Sequence, residues 1–325
     1  MEAVTPGRVK VVAVKCCVCG SGVENADKVG SGYDYEYFTS LDQFDAYRCK
    51  ECTNVYLSPR PDISEFRRIY PPSYHSLDFS EEKYSFVHNV RCRLEANRLL
   101  RYCEGITSNA KILDVGCGDG FHLKLLKRYG KQGWTLEGID LDDRAVAIAS
   151  RGGLTIHQGS VEELALGSDY DLVYTIQTIE HVAQPDSFLK SIYRILKPGG
   201  RLVIVTDNTD SIDFSYFKKS YWGGYHFPRH WNLFNPKSLT RLAEVTGFQV
   251  SALQTIVSPV NWVYSIHNML VDKKAPHWLI KQFTLKSPIS LGIFTVLDTI
   301  LQKFGRGALL NAFLKKPGTP THHPF

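Results

Sequence analysis

Three stretches of this sequence carry residues whose types and spacing could do chemistry. The first is a double cysteine pair, Cys16-Cys17-Val18-Cys19 and Cys49-Lys50-Glu51-Cys52. Each C-x-x-C knuckle presents two thiolates, so Cys16, Cys19, Cys49 and Cys52 make the ligand set of a tetrahedral Zn2+ ion. Cys17 has the wrong spacing to Cys19 and is read as a bystander. Four thiolates close the coordination sphere, so this ion is expected to be structural. The second stretch is Asp114-Val115-Gly116-Cys117-Gly118-Asp119-Gly120. Glycines at alternate positions let a ligand approach the backbone, and the carboxylate before them suits a cationic group and repels a pyrophosphate. The third is Tyr221 to Phe234, which places Tyr225, His226, Arg229 and His230 among five further aromatic residues. Histidine is the natural base near neutral pH, and an arginine can grip a phosphate or carboxylate.

The elements that must position these groups are legible in the flanking sequence. Ile112 to Val115 reads as a short buried strand and Phe121 to Tyr129 as the helix that follows the glycines. A dinucleotide-binding turn has the spacing G-x-G-x-x-G; here position 121 is Phe and the third glycine comes one residue early, at Gly120. Trp134 to Asp140 reads as a second strand ending in an acid that can accept hydrogen bonds from ribose hydroxyls. Asp142 and Asp143 are then the helix-cap candidates. Leu154 to His157 and Tyr170 to Gln177 read as a third and a fourth strand. The helix from Ser187 to Leu196 buries Phe188, Leu189, Ile192 and Ile195, and a Pro198-Gly199-Gly200 turn leads into a fifth strand at Arg201.

The strand, terminal acid and three glycines resemble the first motif of the class I S-adenosylmethionine-dependent methyltransferases. Glu180-His181-Val182 after the fourth strand and the Pro-Gly-Gly turn resemble the same family, over roughly residues 110 to 206. The resemblance implies a doubly wound, Rossmann-like α/β sheet with S-adenosyl-L-methionine at the carboxyl ends of its strands. It implies cofactor contacts from Asp114, Gly116, Cys117, Gly118 and Gly120, and from Asp140 and Leu141. Ser160 and Val161 would lie at the adenine, where the family's usual acid is missing, and Gln177 beside the methionyl part. A zinc-ribbon-like module in front of such a domain resembles a bacterial group associated with saccharides and secondary metabolites.

The expected organisation is a zinc-ribbon-like module over residues 1–60, with Tyr33 to Phe38 in its strands. A helical linker or lid covers 61–109, the cofactor-binding core 110–257, and a helical insertion with a last strand and flexible tail 258–325. In the linker, Asp62 to Tyr70 reads as a short helix with Ile63, Phe66 and Ile69 inward, and Glu82 to Glu104 as a helix with Phe86, Val90, Leu94 and either Leu99 or Leu100 on one face. Tyr70-Pro71-Pro72-Ser73-Tyr74 superficially resembles the base clamp of nucleobase methyltransferases, but it precedes the glycines instead of following the fourth strand. The insertion reads as a packed cap or homodimer face, as an apolar wall for a lipid-linked substrate, or as a membrane-surface contact.

The 325 residues are 43% hydrophobic and 22% charged, with a net charge of +5, ordinary values for a globular chain. No apolar run is long enough to span a bilayer. Met1 to Lys15 lacks a signal-peptide core, and the cysteine usage suits a reducing compartment, so a cytoplasmic enzyme is expected. Its function is expected to be methyl transfer to a small molecule, phosphorylated or lipid-linked, such as a sugar nucleotide, glycan or secondary metabolite. His226 and His230 are the candidate bases, with Arg229 and Tyr225 completing the site. One rival is an RNA methyltransferase that grips its substrate with the ribbon, but only Lys15, Arg48 and Lys50 lie near the knuckles. The other rival is a non-enzymatic cofactor- or partner-binding module. DNA is not an expected partner.

Overall fold

The computed structural model describes residues 7–71, 74 and 86–318, with side chains in the last stretch from residue 92. The start of the 82–104 helix, the side chains of Phe86 and Val90, Pro72 and Ser73 of the clamp-like segment, and the tail histidines lie outside the described residues.

The N-terminal module is built on a short antiparallel sheet. Strands β1 (Val11–Val12), β2 (Ala26–Gly32), β3 (Phe44–Cys49), β4 (Val55–Leu57) and β5 (Arg60–Pro61) enclose the two knuckles, with β1 pairing β5 and β3 lying between β2 and β4. Tyr33 to Phe38 is not a strand. It is a turn, tied by Asp34, whose carboxylate accepts from the backbone of Tyr37 and Thr39 at 3.0 and 2.8 Å. A carboxylate followed by residues with free amides forms such a turn more readily than a ladder. The linker holds a 3-10 turn at Ile63–Glu65, a short helix α1 (Phe66–Ile69), and then α2 (Phe86–Tyr102). Ile69 is buried, whereas Ile63 and Leu94, both expected to face inward, are exposed. The buried face of α2 runs instead through Ala96, Leu99 and Tyr102, which pack with Ala110, Ile112 and Leu123 under the central sheet.

That sheet has seven strands. β6 (Lys111–Val115), β7 (Thr135–Asp140), β8 (Thr155–Gln158), β9 (Tyr170–Ile176) and β10 (Leu196–Asp207) are parallel, in the order β10-β9-β6-β7-β8. β12 (Gln249–Ile256) and β13 (Leu309–Lys315) extend the β10 edge, with β13 antiparallel to both neighbours. Leu172, Val173 and Tyr174 of β9 and Leu202 to Val205 of β10 are essentially inaccessible, as expected of strands covered on both faces. The covering helices are α3 (Phe121–Tyr129), α4 (Asp143–Arg151) and α5 (Pro185–Ile195). α4 is capped by Asp142, which accepts from the amide of Arg144, and α5 buries Phe188, Leu189, Ile192 and Ile195 at helical spacing.

The stretch between β10 and β12 contains α6 (Ile212–Phe217), a two-residue strand β11 (Asn232–Leu233) and α7 (Pro236–Val245). β11 pairs antiparallel with β4, so the aromatic loop supplies the fourth strand of the N-terminal sheet. Loop and module also share one buried cluster, in which Phe44, Val55 and Leu57 meet Trp222, Tyr225, Phe227 and Trp231. Gly30 on β2 permits this approach, because a Cβ there would sit 2.2 Å from the carbonyl oxygen of Lys218 and 2.3 Å from the hydroxyl of Tyr225. The insertion before β13 forms α8 (Pro259–Asp272), α9 (His277–Ile280) and α10 (Pro288–Gln302).

Candidate active site

Four cysteine sulfurs gather at the knuckles. Cys16 Sγ lies 3.3 Å from Cys52 Sγ and Cys19 Sγ 3.4 Å from Cys49 Sγ, and all four lie within 4.8 Å of one another. Zn–S bonds of about 2.3 Å would place tetrahedral thiolates roughly 3.8 Å apart, so the set fits one ion with small adjustments. Cys17 stays outside it, its sulfur 3.6 Å from the amide nitrogen of Asn54.

The cofactor cradle lies where β6 and β7 end. Gly116 has φ +80°, and a Cβ there would fall 2.3 Å from Thr178 Oγ1; a side chain is excluded by both conformation and space. Asp140 closes the far wall, its carboxylate accepting from Gly118 N at 2.8 Å and Asp142 N at 2.9 Å. Each oxygen keeps a lone pair for a further donor. Asp114 is the most telling residue here. It is 1% exposed, with the Tyr174 hydroxyl and the His122 ring as its polar neighbours. Burial pushes its affinity for a proton up to about 7, partly offset by His122, whose Nδ1 lies 3.9 Å away. A buried carboxylate without a close ion pair is costly, and an ammonium group arriving at the glycine turn would supply one. Leu141, just beyond, is half exposed at 51%. Ser160 and Val161 follow β8, with Val161 buried. Gln177 has φ +52° after β9, and its amide donates to Glu180 Oε1 at 2.6 Å.

The aromatic loop brings three histidines together beside β9 and β10. The ring centroids of His181 and His230 are 4.5 Å apart, those of His226 and His230 5.0 Å, and those of His181 and His226 6.5 Å. His230 is buried between two acceptors. Its Nδ1 lies 2.8 Å from the carbonyl oxygen of Gly224 and 3.0 Å from Asp207 Oδ2. With Nδ1 bearing the proton toward these oxygens, Nε2 is the basic nitrogen. Burial disfavours charge on this ring, but the Asp207 carboxylate outweighs it and raises its basicity above that of an ordinary histidine. Asp207, the last residue of β10, is itself held by Asn261 of α8, Nδ2 to Oδ1 at 2.7 Å. His226 pairs with Glu36 at 2.7 Å. His181 is driven the other way: burial, then the neighbouring His230 and His226, lower its basicity well below the usual value. Its Nδ1 meets the Tyr70 hydroxyl at 2.8 Å.

The other two loop candidates do different work. Arg229 is fully buried, and all three guanidinium nitrogens donate to oxygens of the protein. Its guanidinium pairs with Asp34 through Nη1–Oδ1 at 3.1 Å and Nη2–Oδ2 at 2.9 Å, and its Nε donates to the carbonyl oxygen of Ile69 at 2.6 Å. The ring of Tyr37 lies 4.5 Å beneath it. Tyr225 is buried in the shared cluster, and its hydroxyl donates to the carbonyl oxygen of Lys218 at 2.7 Å. Both residues hold the loop to the N-terminal module. Sequence reasoning missed Asp34, Glu36, Tyr70 and Asp207 as partners of this cluster. The alternation Tyr33-Asp34-Tyr35-Glu36-Tyr37 was a signal, since two acids among aromatic residues are unusual in a surface turn.

Glu180 is also buried, and it accepts from Gln177 and, at 2.8 Å, from Thr206 Oγ1. Burial raises its affinity for a proton to about 7. Ligand atoms of Glu180, His181 and His230 lie within 4.8 Å of one another, so this corner has the donor set of a second metal site.

A parallel sheet with a glycine turn, two strand-terminal acids and a histidine cluster at its carboxyl ends defines a Rossmann-like methyltransferase fold. The comparisons agree. Residues 86–253 match the methyltransferase domain family, and the chain belongs to that family. It is 34% identical over 106 residues to a ubiquinone biosynthesis O-methyltransferase of Pseudomonas savastanoi pv. phaseolicola, a match covering 30% of this chain and 44% of the relative. It is 30% identical over 174 residues to a probable S-adenosylmethionine-dependent methyltransferase of Mycolicibacterium smegmatis, covering 53% of this chain and 62% of that one. The chain thus spans less than two thirds of either relative. Phosphoethanolamine N-methyltransferase 2 of Haemonchus contortus, solved with phosphomonomethylethanolamine and S-adenosylhomocysteine, shares the fold at a TM-score of 0.51 and 18% identity, over 81% of this chain and 62% of that chain.

Proposed function

We propose that this protein transfers the methyl group of S-adenosyl-L-methionine to a hydroxyl of a small-molecule acceptor, with His230 as the base. The observation that carries the cofactor is Asp114, a carboxylate buried at the glycine turn, together with Asp140 on the adjoining strand end. The cofactor supplies an electrophilic methyl group, so the protein's part is positioning and proton removal. Asp114 would hold the ammonium and Asp140 the ribose hydroxyls. Nε2 of His230 accepts the acceptor's proton, and Asp207 stabilises the resulting imidazolium. Arg229 and Tyr225 are assigned to anchoring the loop, and His226 to the wall of the site with Glu36. The four-cysteine cluster holds a structural Zn2+.

A second reading rests on the donor set of Glu180, His181 and His230. An ion there would occupy His230 and lower the pKa of a bound acceptor hydroxyl, whose proton would then pass to solvent instead of to His230. Metal analysis separates the two readings: one zinc per chain supports the base, and two ions per chain support the metal.

The deciding experiment is calorimetric titration with S-adenosylhomocysteine of wild type and Asp140→Ala, with metal assayed on the same batch. Micromolar affinity, about −8 kcal/mol, that is lost in the variant is the expected result. Folded, zinc-bearing protein that takes up no S-adenosylhomocysteine would overturn the assignment.

A further inference from the structure

α10 carries its apolar residues on the wrong side for a core helix. Ile289, Ile293, Val296 and Ile300 are 71%, 60%, 64% and 51% exposed. Their spacing of four, three and four residues aligns them in one stripe. Phe304 just past the helix and Trp278 on α9 are similarly exposed, at 77% and 68%. The opposite side of α10 is seated: Asp298 is buried and accepts from the amides of Ser258 and Ala308, and Phe294 stacks on Trp262 of α8 at 5.6 Å. The stripe is therefore a surface of a well-anchored helix, and a continuous apolar face of this kind marks a contact with something else.

The surrounding charge says what that is. Lys273, Lys274, Lys281, Lys286, Lys303 and Arg306 are all exposed. The stretch from Pro259 to Ala308 holds two acids, Asp298 buried and Asp272 bonded to the Tyr221 hydroxyl at 2.7 Å. An isologous pairing of two copies would bring the same cations against each other, whereas an anionic lipid surface meets an apolar stripe and a basic surround together. Exposed Trp and Phe suit the headgroup level. No helix among the described residues is long and apolar enough to cross a membrane, so the contact lies in the interface.

We propose that the α9–α10 face docks on an anionic bilayer surface, with the stripe of α10 entering the headgroup boundary. This goes beyond methyl transfer and stands without it. Asn261 of α8 holds Asp207, and Phe294 of α10 stacks on α8, so α8 links the docked face to the histidine site.

The test is co-sedimentation of the full chain with vesicles of phosphatidylcholine alone or with about one third phosphatidylglycerol. Wild type is expected to bind the anionic vesicles and to leave the neutral ones, and salt to weaken the binding. Ile293→Glu with Val296→Glu should weaken it by about tenfold or more, and Lys281→Gln with Lys286→Gln by about fivefold per lysine. Unchanged circular dichroism shows that the variants are folded, because these side chains are solvent-exposed. Equal binding to both vesicle types, or full binding by the glutamate pair, would overturn the proposal. A dimer in analytical centrifugation that the glutamate pair dissolves, with no lipid binding, would give the face to a second copy instead.

Discussion

At the scale of single residues the site works by contrast between neighbours. His181 and His230 sit ring against ring, yet burial and the adjacent histidines keep His181 neutral while Asp207 makes His230 more basic. A base must be unprotonated to act, so the rate is expected to rise with pH through a value above the ordinary histidine pKa of about 6.5. His230→Gln should lower kcat by about 10²- to 10⁴-fold and abolish that limb of the pH profile, while cofactor affinity measured by titration is retained. His181→Gln should leave the limb in place. A limb that survives His230→Gln would assign the base elsewhere. Asp114 shows the same logic: burial raises its proton affinity, and His122 opposes the rise.

At the scale of elements the decisive feature is a two-residue strand. β11 pairs with β4, and β4 follows directly on Cys49 and Cys52, two of the four clustered cysteines. The geometry of the knuckles therefore reaches the histidines through one short ladder and the cluster of Trp222, Tyr225, Phe227 and Trp231. Structural zinc sites contribute folding energy outright. Removing the ion with a strong chelator is expected to abolish methyl transfer even though no cysteine touches the site, and restoring Zn2+ to recover it. Hydrogen exchange should show faster exchange at Asn232 and Leu233 in the stripped protein. Full activity of metal-free protein would disconnect the module from the site.

At the scale of the whole molecule, the N-terminal module and the methyltransferase core are held by shared cores and by one buried ion pair. Cys16, Cys49, Cys52 and Tyr56 pack in the same cluster as Phe234, Leu239 and Leu242, and Arg229 reaches across to Asp34. The pair is fully enclosed, 0% exposed on both sides. Burial opposes the charge on Asp34, but Arg229 and its hydrogen bonds hold the carboxyl down to about 2. Its stabilising contribution is present above the unfolded value of about 3.9 and is lost as the pH falls through about 2. Asp34→Asn strands a buried guanidinium, and the expected cost is about 3–5 kcal/mol, read by denaturant unfolding near pH 7. A loss under about 1 kcal/mol would mean that the pair behaves as an exposed one.

The local order of strands, turns and helices around the cofactor was legible because hydrophobic period, glycine position and strand-terminal acids are local signals. Phe121 to Tyr129 and the buried face of α5 follow from spacing alone, as do the four cysteines chosen over Cys17. What spacing could not reveal were pairings between residues far apart in the chain. His226 meets Glu36 across 190 positions and Arg229 meets Asp34 across 195. No local pattern distinguishes an arginine that binds substrate from one that anchors a loop. The family and the cluster of four cysteines were thus legible in the sequence itself, because each depends on residues near one another in the chain or on a fixed repeat. Which of the loop's residues are buried, and which distant charges they meet, was decided by tertiary structure alone, because burial and long-range charge set what a histidine or an arginine can do.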